Sequence, residues 1–401
     1  MDYADSDVPK IPDYKLSEQE FLLTTKLEQD KRQEIQQKIL ESIKLDNLAP
    51  YYKYLTETYP DIFSFDASLY QELDEKNQLE INQMKSKIKE AEDDDETELD
   101  PLNLTIQLAE YYCKIIDRKN AIDTYKKALE ISQSTGSKID IILTMARIEF
   151  FFNDYHQVSK YLEQVKTLID KGGDWERRNR YKTYNGIYLM ATRNFLEASK
   201  LLIDSLATFT STELCSYSQV AHYASVCGVV SLDRVDIKSK IIDSPEIKAI
   251  YQSCQEIQPL ADLTESLYSC HYKVFFEHLL KCHDQLILPN KYLNQHANYF
   301  LREMRCKAYG QLLESYKSLS LKSMAANFNI SEEFLDQDLC RFIPNKKLNC
   351  TIDKVNGIIE TNRPDNKNNQ YHLLIKQGDT LLTKLQKYGA AVKLSGAERV
   401  V

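Results

Sequence analysis

The chain has 401 residues, 43% of them hydrophobic and 28% charged, with a formal net charge of −9, enough material to bury sizeable cores in two or three domains. Ten glycines and ten prolines are well below average usage, which favours long helices and excludes collagen-like and loop-rich classes. The acidic opening MDYADSDVPK lacks the apolar core of a secretory signal, and no run approaches the ~18 apolar residues of a membrane span, so a soluble intracellular protein is expected.

Residues 1–16, with Pro9 and Pro12, read as a flexible tail. Ser17 to Glu20 (SEQE) has the form of a capping box, which predicts a helix over 18–29. Helices at 32–45, 48–58 and 66–92 follow, the last carrying Leu69, Leu73, Ile81, Met84 and Ile88 on one stripe. The run EAEDDDETELD (90–100) has eight acids in eleven positions; self-repulsion makes it a solvated hinge or helix entry, and a domain boundary is placed there, closing a region of N-terminal helices over 17–100. Charge is uneven: the first hundred residues carry −14, whereas 341–401 carry +6.

From Leu102 a helix-pair repeat begins. Its units carry Ala109, Tyr112, Ala121, Tyr125 and Ala128, then Ala146, Val158, Leu162 and Val165, then Gly186, Leu189, Ala198, Leu202 and Ser205. Steps of 37 and 40 residues separate Ala121, Val158 and Ala198, close to the ~34 of tetratricopeptide repeats. Small residues let paired helices approach and large ones fill the gap, predicting a curved right-handed array over 101–307 that offers a concave surface. Less regular helices are expected at 213–228, 245–254, 256–268, 271–285 and 291–318.

Residues 308–364 read as a winged helix. A helix at 308–318 is followed by one at 321–328, capped by Ser320 and stopped by Asn329, and by one at 332–343, capped by Ser331, with Phe334, Leu335, Leu339 and Phe342 apolar. Strands at 349–355 and 357–362 join at Asn356-Gly357. The recognition helix carries Glu332, Glu333, Asp336 and Asp338 against Arg341; four carboxylates aimed into a groove would repel phosphate, which speaks against DNA. The basic 341–401 region, with Lys346 and Lys347, keeps a nucleic-acid-binding winged helix as an alternative. In 365–401, a helix over 370–388 places Leu374, Gly378, Leu381, Leu385 and Tyr388 at steps of four, three, four and three, a seam suited to an interhelical bundle or to docking on the winged helix; the tail AAVKLSGAERVV reads as frayed. The fold class is thus mainly α: a helical-repeat superhelix, a C-terminal winged helix and a terminal bundle helix.

No phosphate-cradling glycine loop, nucleophile elbow or HExxH pattern is present, so no enzymatic activity, cofactor or metal is expected. Cys270, His271, His278, Cys282 and His283 form the best metal candidate, with His278 and Cys282 one turn apart, but they lack paired CxxC spacing and read as core residues. The nine cysteines are scattered without a disulfide framework. Arg177, Arg178, Arg180 and Lys182 beside Trp175 and Tyr181 suggest RNA, but Asp170, Asp174 and Glu176 dilute them and favour a solvated face or a protein contact.

A winged helix after a helical array resembles the PCI domain. The strings PYYKYL (50–55), KGGDWERRNRYKTYNGIYLMATRNFLEASKLLIDSLATFTSTEL (171–214), SYKSLSLKSMA (315–325), FIPNKKLNC (342–350) and NGIIETNRPDNKNNQYHLLIKQGD (356–379) resemble the family of PCI-domain non-ATPase subunits of the 26S proteasome lid, at the member numbered seven and in its fungal form. A PCI subunit of the cullin-deneddylating signalosome has the same architecture and is the second reading. The resemblance implies a structural subunit in the cytoplasm and nucleus for ubiquitin-dependent proteolysis, with wings side by side and C-terminal helices in one bundle. It implies as neighbours other PCI and MPN subunits, a small acidic tether protein and the ATPase ring, with no membrane or nucleic acid.

Overall fold

The computed structural model describes residues 10–25, 32–93, 101–362 and 366–397, and falls into two compact units, Met1–Met304 and Arg305–Val401. The described part of the first unit is built from α1 (Tyr14–Thr24), α2 (Arg32–Leu45), α3 (Ala49–Thr58), α4 (Ala67–Asp93), α5 (Pro101–Lys114), α6 (Arg118–Ile131), α7 (Thr135–Phe151) and α8 (Tyr155–Asp170). It continues with α9 (Trp175–Ala191), α10 (Phe195–Leu206), α11 (Tyr217–Ser231), α12 (Arg234–Ile237), α13 (Pro245–Ser253), α14 (Gln258–Tyr268), α15 (Tyr272–Cys282) and the start of α16 (Ala297–Leu313).

One turn joins the helices within each repeat. After α5, α7, α9 and α14 a residue in the left-handed region, respectively Ile116, Asn153, Arg193 and Cys270, is followed by the first residue of the next helix's cap. In each, two backbone N–H groups reach back to the carbonyls the helix end leaves open: Ile116 to Cys113 and Asp117 to Tyr112, Asn153 to Phe150 and Asp154 to Glu149, and likewise at the other two. The cap side chain then starts the second helix: Asp117, Asp154 and Asn194 each accept from a backbone N–H three residues on. Between the helices the small residues do their expected work: a Cβ placed on Gly186 would lie 2.7 Å from Leu202 Cδ2, so α9 and α10 approach at that point as only glycine allows.

The N-terminal helices share a core with these repeats. Ile35, Ile39 and Ile43 of α2, Tyr51, Tyr52 and Leu55 of α3 and Leu73 of α4 cluster with Ile116 and Phe151 from the first two repeat turns. Of the acidic run expected as a hinge, residues 94–100 lie outside the described residues.

Two expectations at the N-terminus are corrected. The first helix begins at Tyr14, capped by Asp13, so Tyr14, Lys15 and Leu16 are not part of a tail, and it is described as Tyr14–Thr24; residues 1–9, and 26–29 of the expected helix, lie outside the described residues. Ser17 is therefore inside the helix and buried, and its hydroxyl donates to the Phe151 carbonyl at the end of α7 instead of capping its own helix.

In the second unit the C-terminal half of α16 packs against α17 (Leu321–Phe328) and α18 (Glu332–Phe342), with Tyr309 edge-on to Phe328 at 4.9 Å between ring centroids. Ser320 and Ser331 cap these helices as expected, and Asn329 takes the left-handed stop. A three-stranded antiparallel sheet of order β1-β3-β2 completes it: β1 (Ser318–Ser320), β2 (Cys350–Asp353) and β3 (Ile358–Thr361). The helix expected over 308–318 thus ends at Leu313; a turn follows, and Ser318 opens a strand because Ser318 to Ser320 find partners in Glu360 to Ile358. The hairpin loop also differs: Asp353 accepts from the Val355 and Asn356 N–H groups, which makes a four-residue loop closed by Gly357 at φ +64°. Finally, α19 (Asn366–Ala397) runs past the expected end at 388, into what reads as a frayed tail; residues 398–401 lie outside the described residues.

Candidate protein-interaction site

The five seam residues all lie on α19, and every one is exposed: Leu374, Leu381, Leu385 and Tyr388 by more than half, and Gly378 with nothing within 4 Å of a Cβ added to it. Docking of this helix on the winged helix, one of the two expectations, does not occur: every side chain from Gln370 to Lys393 is exposed. The stripe is longer than the five residues. Tyr371, three before Leu374, and Val392, four after Tyr388, are also at least half exposed and continue the same alternation over seven positions, while Leu373, Ile375 and Leu382 widen it. Twenty-two residues of helix make a seam about 32 Å long. The signal for the two outer residues was present in the spacing. A helix of 32 residues whose apolar side faces solvent is suited to coiled-coil or bundle contact.

A second feature of the same unit is the wing. β3 is central, so β1 and β2 are both edges, and an edge strand presents backbone groups on which another strand can add. The recognition helix needs one correction. Asp338 points inward, buried at the position that shares a face with Leu335, Leu339 and Phe342, and pairs with Arg305 at 2.9 Å and the Tyr309 hydroxyl at 3.4 Å. Burial pushes its carboxyl up, and Arg305 and Tyr309 pull against that shift. Phe334, expected on the apolar side of the helix, is 38% exposed with the Arg305 guanidinium 5.2 Å from its ring centroid. Glu332 and Glu333 remain on the outer face, and Asp336 pairs with Lys354 from the hairpin loop. That face is acidic, the wrong sign for phosphate.

The other candidates resolve into structural roles. Arg177 binds Asp140 and Asp174, and buried Arg180 binds Asp140 and Glu213, whose carboxylate also accepts from the Tyr184 hydroxyl. These two arginines hold α7, α9 and the segment before α11 together. Of the metal candidates, Cys282 is buried, His278 sits 3.9 Å from Asp262, His283 contacts Asp284, and Cys270 turns its thiol to the Tyr268 carbonyl. Among the described residues no three metal-ligating side chains converge. Burial pushes the Cys113 thiol up to about 12 and the Cys282 thiol likewise, which suits inert core positions. Among the described residues no helix is long and apolar enough to cross a membrane.

Three family models match the chain. The family described as 26S proteasome subunit RPN7 matches residues 66–240, the PCI domain matches 280–363, and the family described as the 26S proteasome regulatory subunit RPN7/PSMD6 C-terminal helix matches 370–392, the span of the exposed stripe. The 26S proteasome regulatory subunit RPN7 of Saccharomyces cerevisiae is 53% identical over 100% of this chain and 98% of its own length. The corresponding subunit of Schizosaccharomyces pombe is 42% identical over 97% and 98%, and the 26S proteasome non-ATPase regulatory subunit 6 of Dictyostelium discoideum 37% over 97% and 100%. The chain belongs to the RPN7/PSMD6 family of 26S proteasome regulatory subunits.

Proposed function

We propose that this chain is a non-catalytic scaffold of the 26S proteasome lid, acting in ubiquitin-dependent protein degradation through contacts with other subunits of the particle. The observation that carries the proposal is the fully exposed apolar stripe of α19, which has no reason to persist in a chain that works alone. Leu374, Gly378, Leu381, Leu385 and Tyr388 would form the centre of a bundle interface with helices of neighbouring lid subunits. The wing edge would extend a sheet with another PCI subunit. Other PCI and MPN subunits, a small acidic tether protein and the ATPase ring are the partners this reading names, in the cytoplasm and nucleus. The signalosome reading is not favoured, because the matched families and relatives carry proteasome names. The nucleic-acid reading is not favoured either, given the acidic outer face of α18.

Deleting residues 370–401 tests the bundle contact. Circular dichroism of the shortened chain should show the remaining helices intact, since the deleted helix is exposed, while native electrophoresis should find the chain outside the lid. Full incorporation of the shortened chain would refute the interface.

A further inference from the structure

α7 and α11 are buried around nearly their whole circumference: eleven residues of α7, from Ile139 to Phe151, and ten consecutive residues of α11, from Val220 to Val229. A two-layer helical repeat leaves one side of such helices open. Here two distant segments of the same chain reach that region. One is α1; the other is the stretch before α16, where Tyr292 lies against Phe150 and Tyr223, and Asn290 donates to the Tyr223 hydroxyl.

Both segments meet at Lys291. Its ammonium donates to the Ser17 hydroxyl of α1 and to the Phe150 and Phe151 carbonyls at the end of α7, the latter at 3.2 and 2.8 Å. Three donors thus have three acceptors, two of them carbonyls at the negative end of a helix. Ser17 donates in turn to Phe151, Tyr14 donates to the Arg147 carbonyl, and Gln219 of α11 donates to Glu18. A lysine buried among neutral oxygens is costly unless every donor is used, so packing alone does not account for it. An isolated helix of eleven residues is marginal in water, so α1 owes its structure to these contacts.

We propose that α1 is a strap laid across the end of α7 and the start of α11 and that Lys291 is its latch, so that the strap can open as a unit while the repeats stay folded. The closed strap covers the end of α7; opening uncovers it.

Hydrogen exchange on the full chain tests this with two variants, Lys291→Met and Ser17→Ala. The expected result is a rise on the order of ten- to a hundredfold in exchange confined to residues 14–24 in both, with α8, α10 and α15 as protected as in the parent chain, since each variant removes the charge-assisted hydrogen bond that ties α1 to Lys291. Unchanged protection of 14–24 in either variant overturns the latch. An equal rise across all helices in Ser17→Ala, or loss of the fold in that variant, overturns the independent strap, because α1 would then be a full member of the core.

Discussion

Lys291 places an ammonium in a region that most lysines avoid, and burial pushes its pKa down to about 8 from an ordinary value of 10.5. Glu18 and Glu20 of α1 act against this through space, and Phe151 and Tyr292 face the ammonium with their rings. Below about pH 8 both folded and unfolded chains hold the proton, and the contribution is flat. Between that value and the ordinary one the unfolded chain holds more, so raising the pH favours folding at this site. Urea denaturation of the parent and of Lys291→Met at several pH values should therefore show the parent gaining stability relative to the variant as pH rises from 8 toward 10. A constant or reversed difference would contradict burial as the dominant influence on this ammonium. None of this was legible in the sequence. Ser17 begins an SEQE string that satisfies the capping rule, yet Asp13 caps first, and the hydroxyl's partner lies 134 residues away. Lysine-to-carbonyl contacts across 140 residues leave no local pattern.

At the scale of elements the repeat helices were readable because their signal is local: Ala121, Val158 and Ala198 mark second helices at near-equal steps, and all three are fully buried or nearly so. The Gly186–Leu202 approach gives that reading an energetic test. Gly186→Ala should destabilise by about 1–3 kcal/mol through overpacking, more than the ~1 kcal/mol that alanine adds to a helix. In a Leu202→Ala background, itself costing ~2–5 kcal/mol, the same change should become stabilising. Denaturation midpoints of the four chains decide it; the same sign in both backgrounds would mean the contact is not limiting. Strand β1 escaped the sequence reading because three residues are too few to show an alternation, and Ser318 to Ser320 become strand by pairing with residues some forty positions later. The stripe on α19 is an opposite case, fully legible as a period. Because Leu381 is exposed in the chain alone, Leu381→Ala should change the free protein's stability by less than about 0.5 kcal/mol yet weaken lid incorporation. A large loss in the isolated chain would place the residue in its own core and remove it from the interface.

In the first unit the helices are held by hydrogen-bonded turns, the Arg180–Glu213 pair and the α1 strap, while in the second unit α19 carries a continuous exposed apolar stripe. Two modest contacts, a strand edge and a helix seam, can hold the chain firmly when engaged together, because the second forms at high effective concentration. The most direct measurement is native mass spectrometry of complexes purified through a tag on the full chain. The chain should be recovered as a stoichiometric member of a particle containing proteasome lid subunits. Recovery as a free protein, or with signalosome subunits in place of the lid, would contradict the account.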